Sequence, residues 1–194
     1  MQCVQAGEKV LVSAASNVAV DNLGERLVQE GIKVIRIGHP AKCSEGMIEH
    51  LLSQKVKMEI EKIQDDIQDK EKLTVDELSK GHLLEASVVL GTLIGCRKKG
   101  PLRLLPDDFF KTTVIDECGQ SLEMACWIVI PRAPRLILAG DHHQLPPTVI
   151  TKNQEAAKKL SVSLMERLRE RFLNDKNAVF HMLKVRMTEC IFND

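Results

Sequence analysis

The chain has 194 residues, of which 44% are hydrophobic, so it is long enough for one domain, with or without an insertion, and can bury a core. Its 27 acidic and 27 basic residues cancel, which excludes a global electrostatic field that would draw the whole chain onto nucleic acid. Aromatic residues make up only 3%, with no Tyr, which argues against a single-strand-binding surface built from stacked aromatic side chains.

The first predicted elements form a β-α-β unit. KVLVSA, residues 9–14, is an apolar run rich in β-branched residues and predicts a buried strand. Ser16 can cap the helix that follows, whose apolar residues recur at helical spacing until Gly31 ends it. KVIRIG, residues 33–38, predicts a second strand. Such a unit favours a parallel sheet with helices on its faces.

Residues 44–85 are rich in charged residues and predict helices rather than strands. Thr74 is positioned to cap a second helix after a break in the pattern. We interpret 44–85 as a helical arm inserted into an α/β domain made of residues 1–43 and 86–194. A solvated amphipathic helix is a compatible interpretation of the same pattern.

The predicted sheet then resumes. Three further apolar runs predict strands: SVVLGT at 87–92, TTVIDE at 112–117 and RLILAGD at 135–141. Between the last two, SLEMACWIVI predicts an apolar helix, whereas the two prolines of HHQLPPT forbid a helix after the last strand. SVSLMERLRERF, residues 161–172, predicts an amphipathic helix, and AVFHML, residues 178–183, a final strand.

The six cysteines indicate reduced thiols. None forms a C-x-x-C pair and their spacing is irregular, which argues against a zinc site and fits a cytoplasmic or nuclear protein. Cys118 follows two acids, so we expect its thiol to have a raised pKa and to be unreactive. The N-terminus shows no apolar signal-peptide core and no apolar run reaches transmembrane length, so we expect no membrane partner.

Polar residues follow the predicted strands, and in an open parallel sheet such strand ends meet at one edge, where ligands bind. Asp116 and Glu117 end one strand, and two adjacent like charges need compensation. Mg²⁺ could compensate them, since it takes one or two carboxylates, and the neighbouring Glu could polarise the attacking water. Gln144, after the next strand, could contact a terminal phosphate through its amide. The alternative is that Asp116 only caps a helix.

Three longer segments carry a family resemblance. VIDECGQSLE (114–123) followed by LILAGDHHQLPPTV (136–149) resembles motifs II and III of superfamily 1 helicases of the Upf-like group, and SAASNVAVDNLGERL (13–27) resembles their motif Ia. The resemblance runs from about Val4 to Phe172. It implies a partial RecA-like α/β fold, with a parallel sheet, flanking helices and an inserted helical arm. It also implies ATP and Mg²⁺ as cofactors and single-stranded RNA or DNA as partner.

For the nucleotide, the resemblance implies that Asp116 helps to hold Mg²⁺ and that Glu117 is the general base for ATP hydrolysis. Gln144 would contact the terminal phosphate and couple hydrolysis to nucleic-acid binding. Gly140 and Asp141 would shape the loop that carries Gln144 and so take part in binding the nucleotide.

For the nucleic acid, the resemblance implies that Ser16 and Asn17 touch the backbone, with Thr92 on the same track. Contacts to the backbone do not distinguish RNA from DNA. Ala15 stands where the motif usually has proline, a departure that affects only the stiffness of the loop. The basic run at 97–99 follows Thr92 and could reach a phosphate, although a solvated loop explains it equally well.

The sequence holds no G-x-x-x-x-G-K-[ST] P-loop. QCVQAGEKVLVSA resembles the end of the helix that starts at that loop, so we expect the chain to begin downstream of it and to lack the second RecA-like domain. Since ATP-driven unwinding needs two domains that close around ATP, we expect negligible ATPase and helicase activity from this chain alone. The missing helicase domains, or a partner protein, are then expected partners. The alternatives are a non-catalytic module that binds nucleic acid or a partner, and a truncated gene product.

Overall fold

The computed structural model describes residues 1–65, 74–141 and 145–172. Its strands are β1 Val10–Ala14, β2 Val34–Ile37, β3 Val88–Thr92, β4 Thr112–Asp116 and β5 Arg135–Leu138. They form one sheet in the order β2-β3-β1-β4-β5, and every pair of neighbours is parallel. The five strands predicted within these ranges are confirmed, with slightly shorter bounds. The predicted α/β class, a partial RecA-like parallel sheet with flanking helices, is also confirmed.

The described residues form seven α-helices. They are α1 Gln2–Gln5, α2 Asn17–Gln29, α3 Leu52–Asp65, α4 Val75–Glu85, α5 Glu123–Cys126, α6 Gln154–Leu160 and α7 Leu164–Phe172. Within the described ranges, no helix combines the length and the apolar content that crossing a lipid bilayer requires.

Apolar side chains cover both faces of the sheet, as is usual for parallel sheets. Along β1 the side chains alternate between the faces: Leu11 belongs to one buried cluster, and Val10 and Val12 belong to the other. Val56 of α3 and Leu83 of α4 pack into the first cluster. A slip of one residue would exchange the two faces of a strand, so here the register depends on the close packing of particular side chains on each face.

Local capping signals locate two helix starts. Ser16 Oγ accepts the backbone N–H of Ala19 at 3.0 Å, which confirms the predicted N-cap of α2. Thr74 Oγ1 accepts the N–H of Glu77 at 3.3 Å, and the Glu77 carboxylate accepts the Thr74 N–H at 2.7 Å, which completes a capping box at α4. The hydrogen bonds from Thr74 lower the pKa of the Glu77 carboxyl because they favour its charged form.

The described parts of the segment between β2 and β3 are mainly helical, as predicted, but the first turns are 3-10 rather than α-helical. A 3-10 segment runs from Glu45 to His50, and α3 begins only after Leu51, which forms a parallel bridge with Arg36 of β2. Helices α3 and α4 pack against each other. We keep the name helical arm for residues 44–85, whose status as an insertion stays a prediction.

The helix predicted for SLEMACWIVI, residues 121–130, is only partly correct. Helix α5 covers Glu123–Cys126, and 3-10 turns flank it at Cys118–Gln120 and Ile130–Arg132. Pro131 supplies no N–H donor, so an α-helix could not continue past this turn, although α5 already ends five residues earlier.

Helices α6 and α7 follow β5 in the chain. Helix α7 confirms the amphipathic helix predicted for 161–172. Helix α6 was not predicted; it begins where Asn153 Oδ1 accepts the N–H of Ala156 at 3.0 Å, a capping signal that the sequence does contain. The strand predicted for 178–183 lies outside the described residues.

Replacing Thr74 with Ala should lower the free energy of unfolding by about 1 kcal/mol, because α4 loses its N-cap acceptor. Thermal melting followed by circular dichroism should show Tm lower by about 2–4 °C for a chain of this size. The control is Lys80→Ala, at an exposed position of the same helix, which should leave Tm nearly unchanged. Equal melting temperatures for wild type and T74A would contradict the stabilising role of the capping box.

Candidate functional site

The parallel register aligns three strand ends. Ala14, the last residue of β1, pairs with Thr92 of β3 and with Asp116 of β4. Neighbouring strands are about 4.8 Å apart, so Thr92 and Asp116 lie roughly 10 Å from each other across β1. The polar residues that end or follow these strands therefore share one edge of the sheet.

The acidic doublet lies at a sharp turn. Asp116 is the half-buried last residue of β4, and Glu117 adopts a left-handed backbone conformation with φ 51° and ψ 37°. The Glu117 carbonyl accepts the N–H of Gln120 at 3.0 Å and the hydroxyl of Ser121 at 3.1 Å. The Glu117 carboxylate also accepts the Gln120 side-chain amide at 3.3 Å. These bonds hold a conformation that is costly for a non-glycine residue, and such strain is concentrated at functional sites.

The end of β5 is hydrogen-bonded over this turn. The N–H of Ala139 donates to the Ile115 carbonyl at 2.8 Å, and the N–H of Cys118 donates to the Ala139 carbonyl at 2.8 Å. Gly140 then approaches the turn so closely that a Cβ there would lie 2.9 Å from the Cys118 nitrogen and 3.0 Å from the Gly119 nitrogen. Its φ of 151° also favours glycine. A glycine is therefore needed where the two strand ends meet.

The structure thus brings four of the predicted nucleotide-site residues to one place. Asp116 ends β4 and Glu117 follows it, Gly140 lies against the turn after Glu117, and Asp141 is next in the chain. Asp141 is exposed. Gln144 lies outside the described residues, so its predicted role stays a prediction.

Asp116 offers the kind of ligand that Mg²⁺ prefers. The described residues contain no cluster of three or more His, Cys, Asp or Glu side chains able to hold a metal ion. Mg²⁺ does not need such a cluster, because one or two carboxylates usually hold it while phosphate oxygens and waters complete its coordination. A half-buried carboxylate at a strand end fits that donor set.

A cleft of about 680 Å³ opens between the sheet edge and the helical arm. Asn17 and Thr92 line it, together with the exposed residues Lys42 and Arg97. None of the described residues that line the cleft is acidic, although acids and bases are balanced in the whole chain. The cleft is therefore locally positive, which suits a phosphate backbone. Ser16 precedes Asn17 but does not line the cleft.

The Ser16 and Thr92 hydroxyls, which were predicted to contact nucleic acid, each already accept one hydrogen bond from the backbone. Ser16 Oγ accepts the Ala19 N–H in the cap of α2, and Thr92 Oγ1 accepts the Gly95 N–H at 3.1 Å. A hydroxyl that accepts such a bond still has its own O–H to donate. Both side chains are therefore fixed in position and can each offer a donor to a phosphate oxygen.

Arg36 was not among the predicted site residues, although it lies in the apolar run of β2 and is completely buried, with 0% exposure. Its Nε donates to Asp21 Oδ1 at 2.8 Å, its Nη2 donates to Asn17 Oδ1 at 2.8 Å, and its Nη1 donates to the Ile37 carbonyl. Asp21 Oδ2 accepts the backbone N–H of Ser44 at 2.9 Å. We call Arg36, Asp21, Asn17 and Ser44 the Arg36 network. In the sequence, the signal for this network is a charged residue inside an apolar strand.

Cys118 and Cys126 are buried neighbours. The hydrogen bond with the Cys126 thiol, followed by burial, raises the pKa of Cys118, which confirms the predicted direction. The leading cause is the second thiol, not the adjacent acids on which the prediction rested. A buried thiol that stays protonated is not a nucleophile. The five cysteines in the described ranges are all free thiols.

Comparison with known proteins identifies a family and several relatives. The family model described as AAA domain matches residues 1–77 and 46–152. DNA-binding protein SMUBP-2 of Mus musculus is 40% identical over 202 residues. The DNA polymerase alpha-associated DNA helicase A of Schizosaccharomyces pombe is 32% identical over 198 residues, and the ATP-dependent helicase upf1 of the same yeast is 33% identical over 177 residues.

These alignments cover most of this chain but little of the relatives. They include 88%, 86% and 82% of the chain, and 20%, 28% and 19% of the three relatives in the same order. The chain therefore spans less than a third of the length of each. The AAA domain match includes the acidic doublet, Gly140 and the residues that line the cleft.

Replacing Gly140 with Ala should lower the free energy of unfolding by about 2 kcal/mol, because the new Cβ meets backbone atoms and the backbone conformation disfavours a side chain. Denaturant titration measures this change. The matched control is Gly81→Ala, within α4, where a Cβ has open space and Ala should stabilise the helix by about 0.5–1 kcal/mol. A G140A variant as stable as wild type would show that the strand ends do not meet as described.

Proposed function

Because the chain belongs to the AAA domain family, in its Upf-like group of superfamily 1 helicases, we propose that it forms part of an ATP-dependent nucleic-acid helicase. In this role the acidic strand end takes part in ATP hydrolysis, and the cleft contacts the backbone of single-stranded RNA or DNA. The observation that carries the proposal is the register of β1, which relates the ends of β3 and β4 through one rigid sheet.

In the proposed nucleotide site, Asp116 would be a ligand of Mg²⁺. When bound, the ion would neutralise part of the negative charge on the phosphate oxygens. The Glu117 carboxylate would accept a proton from the attacking water, with its backbone held by the turn at Ser121. Gly140 and Asp141 would shape the facing loop, and Gln144 would contact the terminal phosphate.

In the proposed nucleic-acid site, Asn17 and Thr92 would donate hydrogen bonds to backbone phosphates, with Ser16 beside them. Lys42 and Arg97 would neutralise phosphate charge. Such contacts set the position of a strand without reading its sequence, so both RNA and DNA are candidate ligands.

The complete helicase would need further parts. In this family the ATP site also uses a phosphate-binding loop and a second RecA-like domain. We propose that further helicase domains or a partner protein contribute them. The chain described here would then supply the acidic strand end and a segment of the single-strand path.

Lys42→Ala and Arg97→Ala should each weaken single-strand binding and reduce the slope of log K against log salt by about 1, because each removes one phosphate contact. Fluorescence anisotropy with labelled oligo(dT) and oligo(U) at several salt concentrations measures both quantities on the whole 194-residue chain. Lys57→Ala, at an exposed position of α3 that does not line the cleft, is the matched control. Unchanged slopes for K42A and R97A would contradict the proposed cleft contacts.

In the wild-type chain, adding ATP with Mn²⁺, a paramagnetic substitute for Mg²⁺, should broaden the amide NMR signals around Ala14, Asp116 and Gly140, because Asp116 holds the metal. Asp116→Asn should remove this local broadening. Glu155→Gln, which alters an exposed acid on α6, should leave that pattern intact.

The proposed nucleotide site would be contradicted if D116N showed the same broadening as wild type, or if the broadening occurred elsewhere in the chain. Single-strand binding without any Mn²⁺–ATP effect at the strand ends would favour the non-catalytic binding module instead. The NMR measurement detects weak binding, so it does not depend on turnover by this chain alone.

A further inference from the structure

The donor chemistry of Arg36 fixes the orientation of the Asn17 amide. A guanidinium has N–H donors and no acceptor, so the Asn17 atom that faces Nη2 at 2.8 Å must be the carbonyl oxygen Oδ1. The two ends of an amide are otherwise assigned only from their hydrogen-bond partners. The buried cation therefore selects one of the two possible orientations of this side chain.

The orientation leaves the amino group of Asn17 as the available end. Nδ2 makes no hydrogen bond to any described residue, and Asn17 lines the cleft that also contains Lys42 and Arg97. An amino group can donate to a phosphate oxygen, whereas a flipped amide would present its carbonyl oxygen and be repelled. The cleft contact thus depends on which way the amide is turned.

The guanidinium itself is held on three sides. Asp21 accepts from Nε, and Asp21 is in turn held by the backbone N–H of Ser44 at the start of the helical arm. The Ile37 carbonyl accepts from Nη1. Gly38 closes the remaining space, because a Cβ there would lie 2.0 Å from Nη1. Any side chain at position 38 would displace the guanidinium from its present position.

We propose that Arg36 is a positioning residue for single-strand binding: it holds the Asn17 amide so that Nδ2 donates to a backbone phosphate in the cleft. The inference rests on the proposed nucleic-acid function of the cleft. It adds Arg36, which lies at the wall of the cleft with 0% exposure and is therefore expected to act through Asn17, and it makes Gly38 a second determinant of the same contact.

The test is a set of double-mutant cycles on the whole chain, with oligo(dT) and oligo(U) binding measured by fluorescence anisotropy. Asn17→Ala should weaken binding roughly 10- to 100-fold through the loss of one hydrogen bond to a charged oxygen. Arg36→Lys should weaken it to a similar extent, because a single ammonium cannot hold Asp21 and Asn17 at once as the planar guanidinium does. Gly38→Ala should also weaken it to a similar extent, because the new Cβ displaces the guanidinium. Neither should weaken it further in the N17A background, because the contact through which they act is already lost.

Two controls separate positioning from folding. Gly81→Ala repeats the glycine-to-alanine change at a helix position with open space and should leave affinity unchanged. Thermal melting reports whether each variant is folded at the binding temperature. If the R36K variant is unfolded, the G38A cycle decides, since it displaces the guanidinium without replacing it.

The outcomes are distinguishable. If R36K and G38A bind like wild type, or if their effects add to that of N17A, the role of Arg36 is wrong while the cleft contact stands. If N17A binds like wild type but K42A and R97A do not, the Asn17 contact is wrong and the inference falls with it. If the wild-type chain binds no single strand, both the inference and the proposed function are wrong.

Discussion

The parallel hydrogen-bond ladder around β1 is the constraint on which both halves of the candidate site depend. It sets Thr92 and Asp116 level with Ala14, one strand to either side. The proposed nucleic-acid and nucleotide contacts are therefore only about 10 Å apart and joined through rigid backbone. Both faces of the sheet are apolar, so a slip by one residue would not expose apolar side chains but would disrupt the close packing on each face.

The buried charge of Arg36 is the least expected feature of this core. Buried ion pairs are poor stabilisers: an apolar replacement is often neutral, whereas removal of one partner costs about 3–5 kcal/mol. Stability alone therefore does not account for a guanidinium in β2. Its hydrogen bonds to Asp21 and Asn17, and through Asp21 to Ser44, join the start of α2 to the base of the helical arm. The contribution that we propose for this charge is geometric: it sets the orientation of the side chains that it bonds.

The acidic strand end is constrained in a different way, by backbone conformation. Glu117 adopts a left-handed conformation, and Gly140 lies against the nitrogens of Cys118 and Gly119. A left-handed residue costs about 1–2 kcal/mol, which the bonds to the Glu117 carbonyl offset. Two strand ends are thus held closer than ordinary side chains would allow, beside the carboxylates proposed to act on the nucleotide.

The sequence by itself determined the five strands, the caps at Ser16 and Thr74 and the acidic doublet at a strand end, because each depends on patterns within a few residues. It misjudged 121–130, where an apolar run suggested a helix but the α-helix covers only Glu123–Cys126. Only the tertiary structure decided the strand order and the partners of Arg36. Both depend on contacts between residues that are distant in the chain. Hydrophobic periodicity predicts that a residue is buried, but it does not identify the residues that pack against it.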